Sequence, residues 1–194
     1  MTIHNKILFL AVCLFLFLTG CLSYEEEYLF IDISKNVGEV RYSNIVSDSK
    51  DEEAVKGDFQ DLIDMVYNDK YANSKEEAGQ KTIQIVSREL YGIGPRLDGT
   101  VNFSFNDLKA ALNEFHIKIG KNEDYIYEMG ADEVYRGGNG TYSERNSIKS
   151  VIWDKQSKTI ELEKRTASFA QTKTTGLLSY WLDWKSTDNH LQEF

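Results

Sequence analysis

Cysteine is nearly absent from this chain. There are two in 194 residues, Cys13 and Cys21, and both fall within the first 21 positions. The remainder therefore has no disulfide framework, no thiolate metal site and no thiol nucleophile. Proline occurs once, at Pro95, which excludes a proline-rich stalk or cell-wall spacer. Histidine occurs three times, at His4, His116 and His190. Neither His116 nor His190 has a histidine or cysteine partner at metal-ligand spacing. His116 stands where a helical pattern gives way to a strand pattern, which suits a helix-end or sheet-face role. Positive charge is also short, with 22 Lys and Arg against 31 Asp and Glu. An acidic domain repels nucleic acid and anionic headgroups. There is no Gly-x-Ser-x-Gly elbow, no phosphate-cradling Gly-x-x-x-x-Gly-Lys-[Ser/Thr], and no Asp-x-Asp-x-Asp-Gly calcium loop.

What the chain does have begins at Lys6. Twelve unbroken apolar residues follow, Ile7 to Leu18, and then Thr19, Gly20 and Cys21. The run fits the core of a secretory signal, of ~7–15 residues, and is shorter than the ~20 that a spanning helix needs. With Leu18-Thr19-Gly20-Cys21 behind it, the segment resembles a bacterial lipoprotein signal peptide with its lipobox. The resemblance covers residues 1–21 alone. It implies cleavage between Gly20 and Cys21, a diacylglycerol on the Cys21 sulfur and often a further acyl chain on the new amine. Two or more chains anchor a protein stably, at ~0.8 kcal/mol per buried CH₂. It also implies an envelope location outside the cytoplasm. Leu22 rather than aspartate after the cysteine resembles the pattern released to the outer membrane where a cell has two.

On this reading residues 1–20 are the leader, 21–27 the lipidated cysteine with a short tether, and 28–194 a single domain. Removal of twenty residues from 194 leaves 174, and loss of Lys6 moves the formal charge from −9 to −10. Such a length buries a full core without covalent staples. A six-residue tether reaches about 20 Å, so the domain is expected to ride close to its membrane.

Along the domain, Tyr28–Ser34 and Glu39–Val46 alternate around the turn Lys35-Asn36-Val37-Gly38 and predict a hairpin. Val55, Phe59, Leu62, Ile63 and Val66 predict a helix from about Asp51 to Asn68, with Ser49 as its N-cap. Asp69–Gln80 reads as a loop and Thr82–Tyr91 as a strand. Gly92–Pro95 reads as a breaker, and Leu97–Phe105 as a strand with Val101, Phe103 and Phe105 on one face. Asn106 is the expected cap of a short helix carrying Leu108, Ala111, Leu112 and Phe115. His116–Ile119 and Tyr125–Met129 read as a hairpin, Gly130–Arg145 as a mobile glycine-rich loop, and Ser147–Trp153 with Thr159–Glu163 as the last hairpin. Leu177, Leu178, Trp181 and Trp184 predict a closing helix over Thr175–Lys185. The expected class is α+β: an antiparallel sheet built of hairpins, about eight strands in all, with two or three helices packed on one face.

No residue pattern singles out a catalytic group, a cofactor or a metal. The acidic runs Glu25-Glu26-Glu27, Asp48–Glu53 and Asp132-Glu133 read as solvated charge. Tyr142 and Arg145, beside the glycines of 137–140, form a candidate adhesive rim. Trp181 is expected to be buried. Tyr180 and Leu182 point off the closing helix's apolar stripe and are expected to be exposed, as a candidate partner surface. The favoured function is a membrane-anchored, non-enzymatic structural or interaction module of the envelope, held by the lipid on Cys21 and facing an envelope protein. The alternatives are a lipid-tethered envelope hydrolase and a carrier of an apolar ligand.

Overall fold

The computed structural model describes residues 22–68, 83–169 and 173–188. The leader, Gly20, Cys21, the loop expected at 69–80 and the end of the chain from 189 lie outside the described residues. Within them the fold is mixed, with three helices and thirteen strands, and every strand pairing is antiparallel. A single sheet was expected. The strands instead make three, of six, four and three members.

The six-stranded sheet rests on period-two patterning. In β2 (Glu26–Asp32), Leu29 and Ile31 turn inward with Glu27, because successive side chains alternate faces. β3 (Val37–Ser43) pairs with it, Val40 opposite Leu29 and Tyr42 opposite Glu27. Asn36 makes the turn with φ 56°, so the expected hairpin is present. β5 (Ile83–Ile93) and β6 (Arg96–Phe105) form a second hairpin in which Ile93 faces Arg96. The breaker is thus a two-residue turn, Gly94-Pro95, with glycine at φ 57°, as hairpins of this length require. β12 (Thr159–Thr166) lies beside β2, and β9 (Glu133–Gly138) beside β12, giving the order β5-β6-β3-β2-β12-β9.

The four-stranded sheet holds β7 (Ile117–Ile119), β8 (Tyr125–Glu128), β10 (Thr141–Arg145) and β11 (Ile148–Trp153), in the order β10-β11-β8-β7. Two expectations fail here. Residues 130–145 are not a loop: they are β9, a corner and β10. The glycines mark close approach rather than looseness. A Cβ at Gly138, where φ is 136°, would strike the Glu161 carbonyl, and one at Gly140 would strike Val151 and Trp153. Asn139 pins the corner. Its Oδ1 accepts from Trp153 Nε1 at 2.7 Å and from the Glu161 backbone N–H at 2.9 Å, and its Nδ2 donates to Thr159. The second failure is the last hairpin. β11 and β12 are consecutive but do not pair, because the chain changes sheet between them.

The three-stranded sheet is made of β1 (Leu22–Ser23), β4 (Val46–Ser47) and β13 (Thr175–Gly176). Leu22 and Ser23, expected in a short tether, pair within it. Leu22 is 6 % exposed and belongs to the core, so the domain is folded from the first described residue. β13 likewise takes the start of the segment expected to be helical.

Helix α1 (Glu52–Val66) follows its apolar stripe, but Asp51 is the N-cap and not Ser49: its carboxylate accepts from the Ala54 N–H at 3.0 Å. In α2 (Leu108–Glu114) the cap is Asp107 and not Asn106, again through a carboxylate and the third N–H. Helix α3 spans Leu178–Asp188. Among the described residues no helix is long and apolar enough to cross a membrane.

The inward side of the six-stranded sheet carries two apolar clusters. At one end Leu29, Ile31, Phe103, Ile160 and Leu162 meet Leu112 of α2 and Ile117, Tyr127, Val151 and Trp153 of the four-stranded sheet. At the other end Leu90 and Leu97 meet Leu22 of β1, Phe59, Leu62 and Ile63 of α1, and Leu177 and Trp181 around α3.

Candidate functional site

The most unusual chemistry lies beside these clusters, at inward positions where the apolar pattern breaks. Period two in β12 turns Ile160, Leu162 and then Lys164 inward. Period two in β2 turns Ile31, Leu29 and then Glu27 inward, and the register sets Lys164 opposite Glu27. A β-bulge between Glu163 and Lys164 adjusts the register against β9, which brings Glu133 to the same spot. The Lys164 side chain is 14 % exposed and that of Glu27 12 %. Burying an ammonium is costly unless it is hydrogen-bonded and paired, and here it makes two hydrogen bonds and a further ion-pair contact. Nζ lies 2.7 Å from Glu133 Oε1, 2.8 Å from the Tyr127 hydroxyl oxygen and 3.4 Å from Glu27 Oε1.

The partners are themselves satisfied. Tyr127 donates to the Glu133 carboxylate at 2.8 Å, and the Gly130 N–H adds a bond at 2.7 Å. Tyr24 donates to Glu27 Oε2 at 2.6 Å. On the sheet's other side Arg165 meets Glu25 at 2.6 Å, and Arg136 approaches Glu26 at 3.9 Å. The triplet Glu25-Glu26-Glu27, expected to be solvated, is therefore half-buried and paired. Asp132 accepts from the Ser168 backbone at 3.0 Å and its hydroxyl at 2.5 Å.

These contacts decide the protonation states. Burial works to lower the Lys164 pKa, but Glu27, Tyr127 and Glu133 outweigh it and the pKa is raised. Burial, with Glu27 for Tyr24 and Glu133 for Tyr127, pushes both phenols up. For Glu133, burial acts upward, but the charge and hydrogen bond of Lys164 prevail and hold the carboxyl below its ordinary value. Near neutral pH the cluster is an ammonium, two protonated phenols and an ionised Glu133. A nucleophilic lysine needs a depressed pKa and a general acid a raised carboxyl. Lys164 and Glu133 are shifted the opposite way. What it does is clasp β2, β8, β9 and β12, and so one sheet to the other.

The residues expected at partner surfaces lie apart. Leu182 on α3 is 52 % exposed. Tyr180 is half-buried rather than substantially exposed, because its ring packs at 5.9 Å from Phe59 of α1. Trp181 is buried at 6 %. Trp184 is half-buried, stacked on Tyr67 at 5.0 Å. Tyr142 is 39 % exposed, but its ring stacks on Tyr135 at 5.2 Å, β10 against β9. Arg145, at the end of β10, is exposed. Tyr142 thus spans the gap between two sheets. His116 is exposed at the α2–β7 junction with φ 58°, and His190 lies outside the described residues. Among the described residues no three His, Cys, Asp or Glu side chains converge as a metal site.

A cavity of ≈ 30 Å³ lies between α1 and the six-stranded sheet, lined mainly by apolar groups including Ile45, Leu62, Met65, Leu90 and Val101. It is a tenth of the ~300 Å³ that small-molecule pockets start from. No family model, no curated protein and no solved structure matches this chain.

Proposed function

We propose that the chain is a lipid-anchored protein of the bacterial envelope, whose domain serves as a non-enzymatic structural or interaction module. The observation that carries this reading is Leu18-Thr19-Gly20-Cys21 directly behind the apolar run from Ile7 to Leu18. The domain supports it. Its Lys164 cluster is paired and positioned to hold one sheet to the other. The fold reading that accompanies it is α+β with the helices on one side of the six-stranded sheet. Residues of α1, α2 and α3 all share clusters with inward positions of that sheet. The other side, with Tyr28, Phe30 and Tyr91 among polar neighbours, is left as a platform for a protein partner. Where the cell has two membranes, Leu22 favours the outer one.

Cys21→Ala tests the anchor. In cells fed labelled palmitate the parent should take up label and lose its first twenty residues. The variant should stay unlabelled and keep the leader, as read by intact mass. Label in the Cys21→Ala protein would refute the assignment.

A further inference from the structure

Leu22 is 6 % exposed and packed in the cluster that contains Leu177 and Trp181. One trans peptide, about 3.8 Å between Cα atoms, separates it from Cys21. If Cys21 carries the lipid, the acyl chains leave the domain with no spacer at all. The bilayer they enter must then lie against this end of the molecule, and the structure shows what that end presents. We propose that it rests on a zwitterionic lipid surface, with Leu182 and Ile93 in the headgroup–acyl boundary. The inference depends on the lipid-anchor reading.

The register identifies the end. β2 starts at Glu26 opposite Ser43, Tyr91 faces Asp98, and the Ile45 N–H donates to the Leu97 carbonyl at 2.7 Å. The β5–β6 hairpin therefore projects its Gly94-Pro95 tip past the row where the chain enters from β1. β13 pairs with β4, as β1 does, and runs straight into α3. Leu178 of α3 lies over Gly92 of that hairpin. Leu182, one turn further along α3, is 52 % exposed, and Ile93 at the hairpin tip is 47 % exposed. An apolar side chain beside an anchored bilayer gains by entering its boundary. Charge selects the lipid. Asp48, Asp51 and Glu52, around the start of α1, belong to the same end, since Ser23 of β1 donates to Asp48 at 2.7 Å. With Asp183 they outnumber the cations of the same end, Lys50, Arg96 and Lys185, so the end opposes anionic headgroups but not zwitterionic ones. The turns at 33–36, 120–123 and 154–158 lie at the far end. Ile33 bonds the Lys158 carbonyl, and Lys155 meets Glu123 at 3.1 Å.

The full chain is well suited to a test. Once Cys13 is removed and Cys21 acylated, an introduced cysteine is its only thiol. Leu182→Cys, Ile93→Cys and, at the far end, Lys121→Cys would each be made in the full protein, carried through processing and tagged with bimane. Each is reconstituted into phosphatidylcholine vesicles bearing a nitroxide on the acyl chain. Quenching at 182 and 93 should exceed that at 121 at least threefold, and replacing a third of the lipid with phosphatidylglycerol at low salt should reduce it. Equal quenching at both ends in protein that floats with the vesicles would overturn the docking inference and leave the anchor standing. Protein that neither floats nor carries acyl groups, with bimane on Cys21 as well, would overturn both.

Discussion

Lys164 donates to Glu133 and Tyr127 and pairs with Glu27, which makes it the residue whose loss the domain should feel most sharply. An ammonium 14 % exposed has given up most of its hydration, and only the full set of partners offsets that. Lys164→Met fills a similar volume but strands the buried carboxylates of Glu27 and Glu133. It should cost about 3–5 kcal/mol in urea unfolding at pH 7, as breaking a buried pair does. The pH dependence has a definite sign. Lys164 has a raised folded pKa, so its contribution is complete below the ordinary lysine value and is lost only in strong alkali. Glu133 has a lowered folded pKa, so its contribution is complete above the ordinary glutamate value and lost as pH falls through the folded one. The parent should therefore weaken as pH drops below about 4.5, and the Met variant, whose stranded carboxylates are neutralised by protonation, should weaken less. The gap between the two should shrink on acidification. A gap that stays constant from pH 7 to pH 3 would mean the cluster carries no electrostatic weight.

Among the elements, α1 shows how a start signal divides between neighbours. Ser49-Lys50-Asp51-Glu52 has capping-box spacing, yet the chain turns helical two residues later and Asp51 takes the cap. Asp51→Ala should cost about 1 kcal/mol and Ser49→Ala under about 0.5, read from urea midpoints; the reverse order would restore Ser49 as the cap. The same contrast runs through the whole fold. What is encoded locally was legible: the β2–β3 hairpin, the body of α1 and the strand with Phe103 and Phe105 follow from periods and turn residues a few positions apart. What depends on partners distant in the chain was not. Gly138 and Gly140 resemble a loop until Glu161 and Trp153 are seen pressed against them. β11 and β12 resemble a hairpin because a sheet change leaves no mark in a five-residue connection. β1, β4 and β13, with two residues each, are too short for any period to register. The ion cluster draws on residues 24, 27, 127, 133 and 164, so no spacing could announce it. A signal was nevertheless present. Leu29 and Ile31 fix the inward parity of β2, Ile160 and Leu162 that of β12, and extending each by one period places Glu27 and Lys164 inward.

At the scale of the molecule, one sheet serves two cores. The six-stranded sheet presents Leu29, Phe103 and Leu162 to one cluster, and Leu90 and Leu97 to the other. β6 runs through both, with Leu97 near its start and Phe103 near its end. Loss of either cluster exposes inward positions of strands the other needs, so the two should not melt separately. The three tryptophans divide conveniently: Trp153 lies in the first cluster, Trp181 in the second and Trp184 against the second. Trp153→Phe leaves fluorescence that reports only the α1–α3 end, while far-ultraviolet circular dichroism reports the sheets as a whole. The joint variant Trp181→Phe and Trp184→Phe leaves fluorescence that reports only the end packed on the four-stranded sheet. In each protein the fluorescence and dichroism midpoints in urea should coincide, as they do for a two-state domain. The two proteins are destabilised to different extents, so the comparison is made within each protein and not between them. If the Trp153→Phe fluorescence midpoint fell well below its dichroism midpoint, the α1–α3 end would be opening alone, and β6 would not couple the cores. That outcome would also bear on the membrane-facing end, because Leu22 would then be freed from its cluster while the rest of the domain stayed folded, and the chain beyond Cys21 would regain the slack that its burial removes.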